Sequence, residues 1–228
     1  AKEDLKNVSD IAKKLDNIDK IKSWDISYYT EKLKQDIYNF DENELKPYFQ
    51  SKEVMKGAFK VAEKLYGLNF KLLDNVQTWH EDVRVFEVSE ENGDHVGILY
   101  EDLYPRETKR GGAWMNPLRS QGMVKGEISR PHISLTCNLS KPTENAPSLL
   151  TISEVETIFH EFGHCLHGLL SNTKYQQISG TSVYWDFVEL PSQIMENWVG
   201  EEETLKIFAK HHETGEVIPQ ELIKKIKK

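Results

Sequence analysis

The chain has 228 residues, 38% apolar and 29% charged, so it can bury a substantial core in one large domain or two small ones. Its 37 acidic and 29 basic residues give a net charge of −8, which argues against a nucleic-acid-binding surface. The two cysteines, Cys137 and Cys165, are too few for a disulfide framework and indicate an intracellular protein, and no apolar run is long enough to span a membrane.

The first 80 residues have the pattern of helices. Five apolar side chains recur at spacings of three and four: Ile26, Tyr29, Leu33, Ile37 and Phe40. This spacing predicts an amphipathic helix whose aromatic stripe packs in a core. A second helix is predicted over SKEVMKGAFKVAEKLYGL, with Ser51 as its N-cap and Gly67 as its end.

The pattern changes to that of strands after Asp82. The alternation in VRVFEVS, the Asn-Gly turn and the run HVGILYEDLY predict a β-hairpin at about residues 83–104. A short strand is predicted around GGAWM, and another at about residues 131–139 in HISLTCNLS. The sequence therefore predicts an α+β fold that is mainly α, with a small mixed sheet.

Helices return in the last third of the chain. Ser153 and Glu156 fit a capping box, which predicts a helix from Ser153 to about residue 171. The next helix is expected over roughly 186–199, where Pro191 either occupies the first turn or bends the helix. A last helix begins within PQELIKKIKK.

The first of these helices contains the sequence HEFGH at residues 160–164. His160 and His164 lie one turn apart on the same helical face, close enough for both imidazoles to bind one ion. Glu161 lies beside the open coordination position, where it could take a proton from a metal-bound water; this is the HExxH signature of zinc proteases. Two unpaired histidines in an apolar, capped helix would be unfavourable, which favours a shared metal over two core histidines.

A catalytic zinc ion normally has three protein ligands and an open position for water. One class of HExxH enzymes uses a third histidine six residues after the second; Leu170 occupies that position here, so this class is excluded. Another class uses a glutamate from the next helix, and Glu189 lies 25 residues after His164. Glu196 and Asp186 are the alternatives, either as the ligand or as acceptors for a ligand histidine N–H.

His167 lies near the same helical face as the two motif histidines. One straight helix does not easily offer three imidazoles to a metal, because the three span about 10 Å at 1.5 Å per residue. We therefore expect His167 to pack in the structure or to lie close to a substrate.

Four segments together resemble the thimet oligopeptidase family of zinc metallopeptidases, in particular its bacterial peptidyl-dipeptidase and oligopeptidase A branch. They are KRGGAWM, CNLSKPTENAPSLL…EVETIFHEFGH, HEFGHCLHGLL and SGTS…DFVELPSQIMENWV. The resemblance is most specific from about Trp79 to Trp198. It implies a zincin-like fold, with the small sheet beside the HExxH helix, and cytoplasmic hydrolysis of short peptides in a channel between two mostly helical halves.

The resemblance also implies the residues of the site. One zinc ion per chain would be bound by His160, His164 and Glu189, with Glu161 as general base. Cobalt or manganese could occupy the same ligands.

In such enzymes the substrate pairs with an edge strand near the active site. The matching segment here is GGAWM, where Gly111 and Gly112 would let a second backbone approach. Ala113, Trp114 and His167 are the other candidates for contact with the substrate.

Members of this family are much longer than this chain and contain a later Gly- and Tyr-rich segment whose histidine and tyrosines stabilise the oxyanion. We therefore expect a catalytic-core fragment, with residues 1–80 as a helical segment of the catalytic domain and 81–228 as the zinc-binding core. The expected partners are short peptides and the missing parts of the parent chain, with neither nucleic acid nor membrane.

The fragment is expected to bind zinc and to hydrolyse peptides weakly or not at all, because one missing oxyanion donor lowers the rate about a hundred- to a thousandfold. The alternatives are a non-catalytic fragment that binds zinc or peptides, and a helical interaction protein whose histidines occur by chance. Exposed apolar surface on a fragment also predicts self-association.

Overall fold

A computed structural model describes residues 2–38, 42–144 and 146–226. The contacts between residues divide the chain into two compact units, Ala1–Leu45 and Lys46–Lys227. Among the described residues, no helix combines the length and the apolar character that a bilayer crossing needs.

In its described residues, 2–38 and 42–45, the first unit contains two helices and one short 3-10 turn. These are α1 (Lys2–Asp16), α2 (Ile26–Tyr38) and the turn Glu42–Glu44. Its core is built from apolar side chains of both helices: Val8, Ile11, Ala12 and Tyr29.

Only part of the predicted stripe on α2 lies in this core. Tyr29 is buried and Leu33 packs against the buried cluster, whereas Ile26 is exposed at the first position of the helix. The prediction was wrong for Ile26, because the α1 core covers only part of the apolar face of α2. Phe40 and the side chain of Ile37 lie outside the described residues.

The second unit opens with a 3-10 turn at Lys46–Tyr48 and helix α3 (Ser51–Tyr66). Helix α3 ends at Gly67, whose left-handed φ of 67° confirms the predicted end of the helix. The predicted N-cap was wrong: Gln50 holds that position without a side-chain hydrogen bond. Ser51 is already helical, and its hydroxyl shares a hydrogen bond of 3.2 Å with the Tyr104 hydroxyl.

Seven strands follow in the second unit. In chain order they are β1 (Leu68–Leu72), β2 (Arg84–Glu90), β3 (His95–Asp102), β4 (Trp114–Arg119), β5 (Gly122–Val124), β6 (Glu127–Ser129) and β7 (His132–Thr136). Five of them form a mixed sheet in the order β1-β2-β3-β7-β4, in which only β3 and β7 run parallel; β5 and β6 form a separate hairpin. The predicted hairpin, the predicted strand near 131–139 and the α+β class with a small mixed sheet are confirmed.

Two strand elements were not predicted. Strand β1 lies inside the segment predicted to be helical, because its five residues are too short for periodicity to decide and pairing with β2 sets their conformation. The β5–β6 hairpin turns at Lys125 and Gly126, which both have positive φ, as a two-residue hairpin turn requires. The strand predicted around GGAWM begins only at Trp114.

Helix α4 (Ile152–Leu169) contains the HEFGH sequence. Its capping box is formed by Thr151 and Glu154, not by Ser153 and Glu156 as predicted: the Thr151 hydroxyl accepts from the Glu154 amide and the Glu154 carboxylate accepts from the Thr151 amide. Two overlapping Ser/Thr-x-x-Glu frames exist in this sequence, and the earlier one is used.

The predicted helix over 186–199 is broken into three pieces. They are α5 (Trp185–Val188), α6 (Leu190–Asn197) and a 3-10 turn at Trp198–Gly200. Pro191 occupies the first turn of α6, one of the two positions expected for it. Helix α7 (Glu202–Phe208) was not predicted, and α8 (Gln220–Ile226) matches the predicted last helix.

Helix α4 lies at the centre of the second unit. It contacts β3, β4 and β7 of the sheet, and it also contacts α3 and α6. Its side chains Ile158, Phe159, Phe162 and Cys165 are fully buried. The histidine-bearing helix is therefore held between the sheet and α6, and its position is fixed by the core.

A buried group of charges fixes the chain between β3 and β4. Asp102, 2% exposed at the end of β3, accepts two hydrogen bonds of 2.9 Å from Arg106, one of 2.9 Å from Lys109 and one of 3.0 Å from the Trp79 indole. Burial alone would raise the pKa of Asp102, but these hydrogen bonds outweigh it and lower the pKa to about 2. The ionised carboxylate thus holds the loop that leads into β4.

This network predicts a pH-dependent part of the stability. Because the pKa of Asp102 is lower in the folded protein, the stabilisation is fully present above pH 4 and is lost as the pH falls towards 2. The free energy of unfolding should therefore differ between the protein and Asp102→Asn by about 2 kcal/mol more at pH 5 than at pH 2. Urea unfolding of both proteins at each pH measures this, and a difference that is the same at both values would contradict it.

Candidate metal centre

Three side chains from α4 and the α5–α6 junction converge on one point. The Nε2 atoms of His160 and His164 lie 3.3 and 3.1 Å from Oε2 of Glu189. The three ligand atoms all lie within 4.8 Å of one another, and no other group of three such side chains meets this condition in the described part of the chain. The geometry brings together two of the predicted histidines with one of the three candidate carboxylates.

The two nitrogen–oxygen distances, 3.3 and 3.1 Å, fit ligands of one zinc ion. Tetrahedral zinc with bonds of about 2.0–2.1 Å separates its ligand atoms by about 3.3 Å. Two imidazole nitrogens and a carboxylate oxygen are also donors of the type that zinc takes in catalytic sites. Burial lowers the pKa of His164, which favours the neutral imidazole that a metal requires.

Glu189 is placed by the break between α5 and α6. Glu189 is both the C-cap of α5 and the N-cap of α6. The single proton of the Ser192 hydroxyl is shared between the Glu189 carbonyl oxygen, at 2.8 Å, and Glu189 Oε2, at 2.9 Å. This shared hydrogen bond orients the carboxylate towards the imidazoles.

Gly163 allows α6 to approach α4 at the same level. A Cβ atom on Gly163 would lie 2.6 Å from Ser192 Cα and 2.7 Å from the Pro191 carbonyl oxygen, both backbone atoms. Residue 163 was not singled out from the sequence, although a glycine in the middle of a strongly helical segment is a signal of close packing.

The other two carboxylate candidates differ in position. Glu196, two turns along from Glu189, has Oε1 2.5 Å from Nδ1 of His160. A proton on Nδ1 that is donated to this carboxylate leaves the lone pair on Nε2, the atom that faces Glu189. Asp186 is exposed and forms an ion pair with neither histidine.

Glu161 is buried beside the three ligands and is 8% exposed. Burial raises the pKa of its carboxyl group and the charge of Glu189 adds to this, while His160 and a hydrogen bond from the Met115 backbone act in the opposite direction. A carboxylate with raised proton affinity, next to the ligand cluster, is suited to accept a proton.

A cavity of about 470 Å³ is lined by Glu161 and by the three converging side chains, His160, His164 and Glu189. Two further segments line it: residues 113–115, and a second segment that contributes Thr181, Val183, Trp185 and Val188. Trp114 and Met115 of the first segment begin β4, which is the edge strand of the five-stranded sheet. The open strand edge thus lies in the cavity wall beside the histidines.

Some of the residues predicted to contact a substrate line this cavity, and others do not. Ala113 and Trp114 line it, whereas Gly111 and Gly112 precede β4 and are exposed outside it. The Asn138 amide donates to the Arg110 carbonyl at 2.9 Å and to the Gly112 carbonyl at 2.7 Å. The glycine segment is therefore held by hydrogen bonds, in a conformation with φ of 97° at Gly112 that favours glycine.

His167 does not line this cavity. Its ring lies edge-on to Phe187 at 6.1 Å, and it lines a second cavity of about 420 Å³. The Nδ1 atom is buried without a hydrogen-bond partner. Through its contact with Phe187, His167 supports the segment that carries Trp185.

Comparison with known proteins identifies the family. All 228 residues match the family model for Peptidase family M3. The chain belongs to peptidase family M3. It is 46% identical to oligopeptidase A of Escherichia coli over 92% of this chain and 31% of that protein, and 40% identical to oligopeptidase A of Haemophilus influenzae over 99% and 33%.

A dipeptidyl carboxypeptidase of E. coli is 38% identical over 90% of this chain and 30% of that protein. The chain thus spans about a third of the length of these curated relatives in family M3. Its match to the family includes both the histidines and the α5–α6 junction, because it covers the whole chain.

The geometry of this M3 chain predicts the effect of Glu196→Gln. An amide does not accept the Nδ1 proton as strongly, so His160 loses its orientation and basicity, and zinc affinity should fall about 10- to 100-fold. Competition with a chromophoric chelator measures the affinity. Glu203→Gln, an exposed glutamate on α7, is the matched control and should leave it unchanged. Equal affinities for both variants would contradict the prediction.

Proposed function

We propose that this chain is the catalytic part of a zinc-dependent peptidase that hydrolyses short oligopeptides. The observation that carries the proposal is the convergence of His160, His164 and Glu189 within 4.8 Å, with the buried carboxylate of Glu161 in the same cavity. Membership of peptidase family M3, with relatives named oligopeptidase A and dipeptidyl carboxypeptidase, supports the substrate class.

In this proposal His160, His164 and Glu189 hold the zinc ion, and Glu196 orients His160. When bound, zinc supplies positive charge that lowers the pKa of the attacking water and polarises the scissile carbonyl. Glu189 is half-exposed, and the cavity that it lines is also lined by residues 113–115 at the start of β4.

Glu161 accepts the proton of the attacking water as the new carbon–oxygen bond forms, and then passes it to the leaving amine as the carbon–nitrogen bond breaks. The raised pKa of Glu161 suits both transfers, because the group binds the proton well enough to hold it between the two steps. The Met115 backbone hydrogen bond keeps the carboxylate against β4.

The substrate backbone is proposed to lie along β4 as an added strand. Residues 113–115 line the cavity on the edge of the sheet, so that hydrogen bonds between backbones can fix the register of an extended peptide. Gly111 and Gly112, just before this edge, offer little steric hindrance because nothing lies within 4 Å of a Cβ atom on either.

A second candidate is a non-catalytic domain that binds zinc or peptides. It is favoured by the lining of the cavity: among the described residues that line it, none is a tyrosine, lysine or arginine that could stabilise an oxyanion. This candidate has the same metal ligands and predicts zinc binding without turnover.

We further propose a cytoplasmic location, supported by a relative of Arabidopsis thaliana that is named probable cytosolic oligopeptidase A and is 40% identical over 91% of this chain. Self-association stays a prediction from the exposed apolar side chains near the cavity, such as Tyr184 and Trp185. Sizing at several protein concentrations tests it.

Removal and return of zinc tests the proposed function. The chain is freed of metal with a chelator and titrated with zinc, while bound metal and hydrolysis of a fluorogenic peptide are measured together. We expect one zinc ion per chain and only weak turnover, which requires the zinc; both are lost in Glu189→Ala and both are kept in the control Asp186→Ala. Zinc binding without turnover would favour the second candidate, and no zinc binding would contradict both.

A further inference from the structure

Trp185 is almost fully exposed, yet it lines the cavity of the metal ligands. Its side chain is 93% exposed, and its neighbour Tyr184 is 87% exposed. A tryptophan buries 150–250 Å² of surface when it is covered, so leaving it in water forgoes a large stabilisation. An exposed aromatic at a site is typical of a surface that contacts a ligand.

The segment that carries Trp185 is fixed at its N-terminal end. Gly180 has a left-handed φ of 57° and packs on α4 so closely that a Cβ atom would lie 3.1 Å from Gly168 Cα. Its N–H donates to the Ser171 hydroxyl at 3.0 Å. The segment therefore starts from a defined point on the histidine-bearing helix.

The same segment is fixed in the middle and at its C-terminal end. Phe187 packs edge-on against His167 of α4, and Glu189 is oriented by Ser192 beside the histidines. Residues 181–188 thus form a supported wall, and the exposure of Trp185 is a property of this wall. A preformed wall binds a ligand with little loss of conformational entropy.

The chemistry of the cavity selects the ligand group. Apolar side chains from two segments line the cavity: Ala113, Trp114 and Met115 at the start of β4, and Val183, Trp185 and Val188 before α6. The full negative charges that line it belong to Glu161 and Glu189, and no lysine or arginine is among the described residues of the lining. A charged side chain would lose hydration on entering the apolar part of the lining, whereas an apolar one would bury surface there.

We propose that residues 181–188 and the start of β4 enclose a substrate subsite for a large aliphatic or aromatic side chain next to the scissile bond, with Trp185 as the residue that determines this preference. The inference rests on the proposed peptidase function and specifies its substrate class. A peptide added along β4 would lie in the cavity that Trp185 also lines, so that one of its alternate side chains would contact the indole.

Binding of a peptide series tests the subsite. The zinc-loaded Glu161→Gln chain is titrated with fluorophore-labelled pentapeptides of alanine in which the central residue is phenylalanine, leucine, alanine, arginine or glutamate, and anisotropy gives each Kd. We expect the phenylalanine peptide to bind about tenfold more tightly than the alanine peptide, because the phenyl ring buries apolar surface against Trp185. Trp185→Ala should remove most of this ratio, and Trp185→Phe should keep most of it.

The control is Trp24→Ala, because Trp24 is 74% exposed and belongs to the first unit. It should leave every Kd unchanged. A phenylalanine-to-alanine ratio that survives Trp185→Ala, tighter binding of the arginine or glutamate peptide, or no saturable binding of any peptide would overturn the subsite. Zinc content and turnover of the chain with Glu161 intact are measured in parallel: zinc-dependent cleavage without any dependence on Trp185 rejects the subsite alone, and absence of zinc rejects the proposed function.

Discussion

Replacing Glu161 by glutamine is expected to lower kcat for hydrolysis of a short fluorogenic peptide by about a thousandfold. Glutamine has nearly the same shape but cannot take the proton of the attacking water. Zinc affinity should change less than about twofold, because the atoms that converge belong to His160, His164 and Glu189 and not to Glu161. Steady-state kinetics and a zinc titration on the same preparation measure the two quantities.

The matched control is Glu127→Gln on β6, an exposed glutamate outside the cavity. It should retain the full rate and the full zinc affinity. If Glu161→Gln kept the rate of the unsubstituted chain, another group would have to accept the proton. If it lost zinc together with the rate, Glu161 would be a ligand and the roles assigned within the cavity would be wrong.

Gly163→Ala is expected to lower the free energy of unfolding by about 3 kcal/mol and to weaken zinc binding by at least about tenfold. The added methyl group would lie 2.6 Å from Ser192 Cα and 2.7 Å from the Pro191 carbonyl oxygen. Backbone atoms cannot rotate away, so α6 must move from α4. Glu189 directly precedes this contact and moves with it, which separates the carboxylate from the imidazoles.

Gly200→Ala provides the control with the same added methyl group, because nothing lies within 4 Å of a Cβ atom there and its φ is not left-handed. Urea unfolding of the metal-free chains and zinc titration of the folded chains separate the two effects. Unchanged stability of Gly163→Ala would show that α4 and α6 can separate freely. Lost stability with unchanged zinc affinity would show that the contact supports the fold without positioning Glu189.

The motif histidines could be predicted from the sequence because their relation is local. Spacing of four on a helix places His160 and His164 on one face wherever the helix lies. Which carboxylate joins the two histidines depends on the fold. Asp186, Glu189 and Glu196 all lie in the region predicted as one helix, and helical spacing alone does not show which of them faces the histidines. The break at Glu189, caused by the change from α5 to α6, sets the phase that turns this carboxylate to the histidines and Glu196 to the far nitrogen of His160.

The difference between local and long-range interactions also explains which elements of the fold could be predicted from the sequence. The β2–β3 hairpin was predictable because its alternation and its Asn92–Gly93 turn are both local signals. Strand β1 and the close packing at Gly163 depend on partners distant in sequence, which no window of residues contains. Trp185 was not singled out from the sequence, because the exposure of a single tryptophan depends on which parts of the fold cover it.

Strand β4 has to leave its outer edge open if a peptide is to pair with it, and an open edge also invites the same edge of another molecule, the first step in fibril growth. Pro117 has no N–H to offer, and a bulge between Pro117 and Arg119 shifts the second half of the strand out of register. Regular pairing is therefore confined to the few residues that face the cavity. That length accommodates a short peptide but is too small to join two whole proteins into a growing sheet.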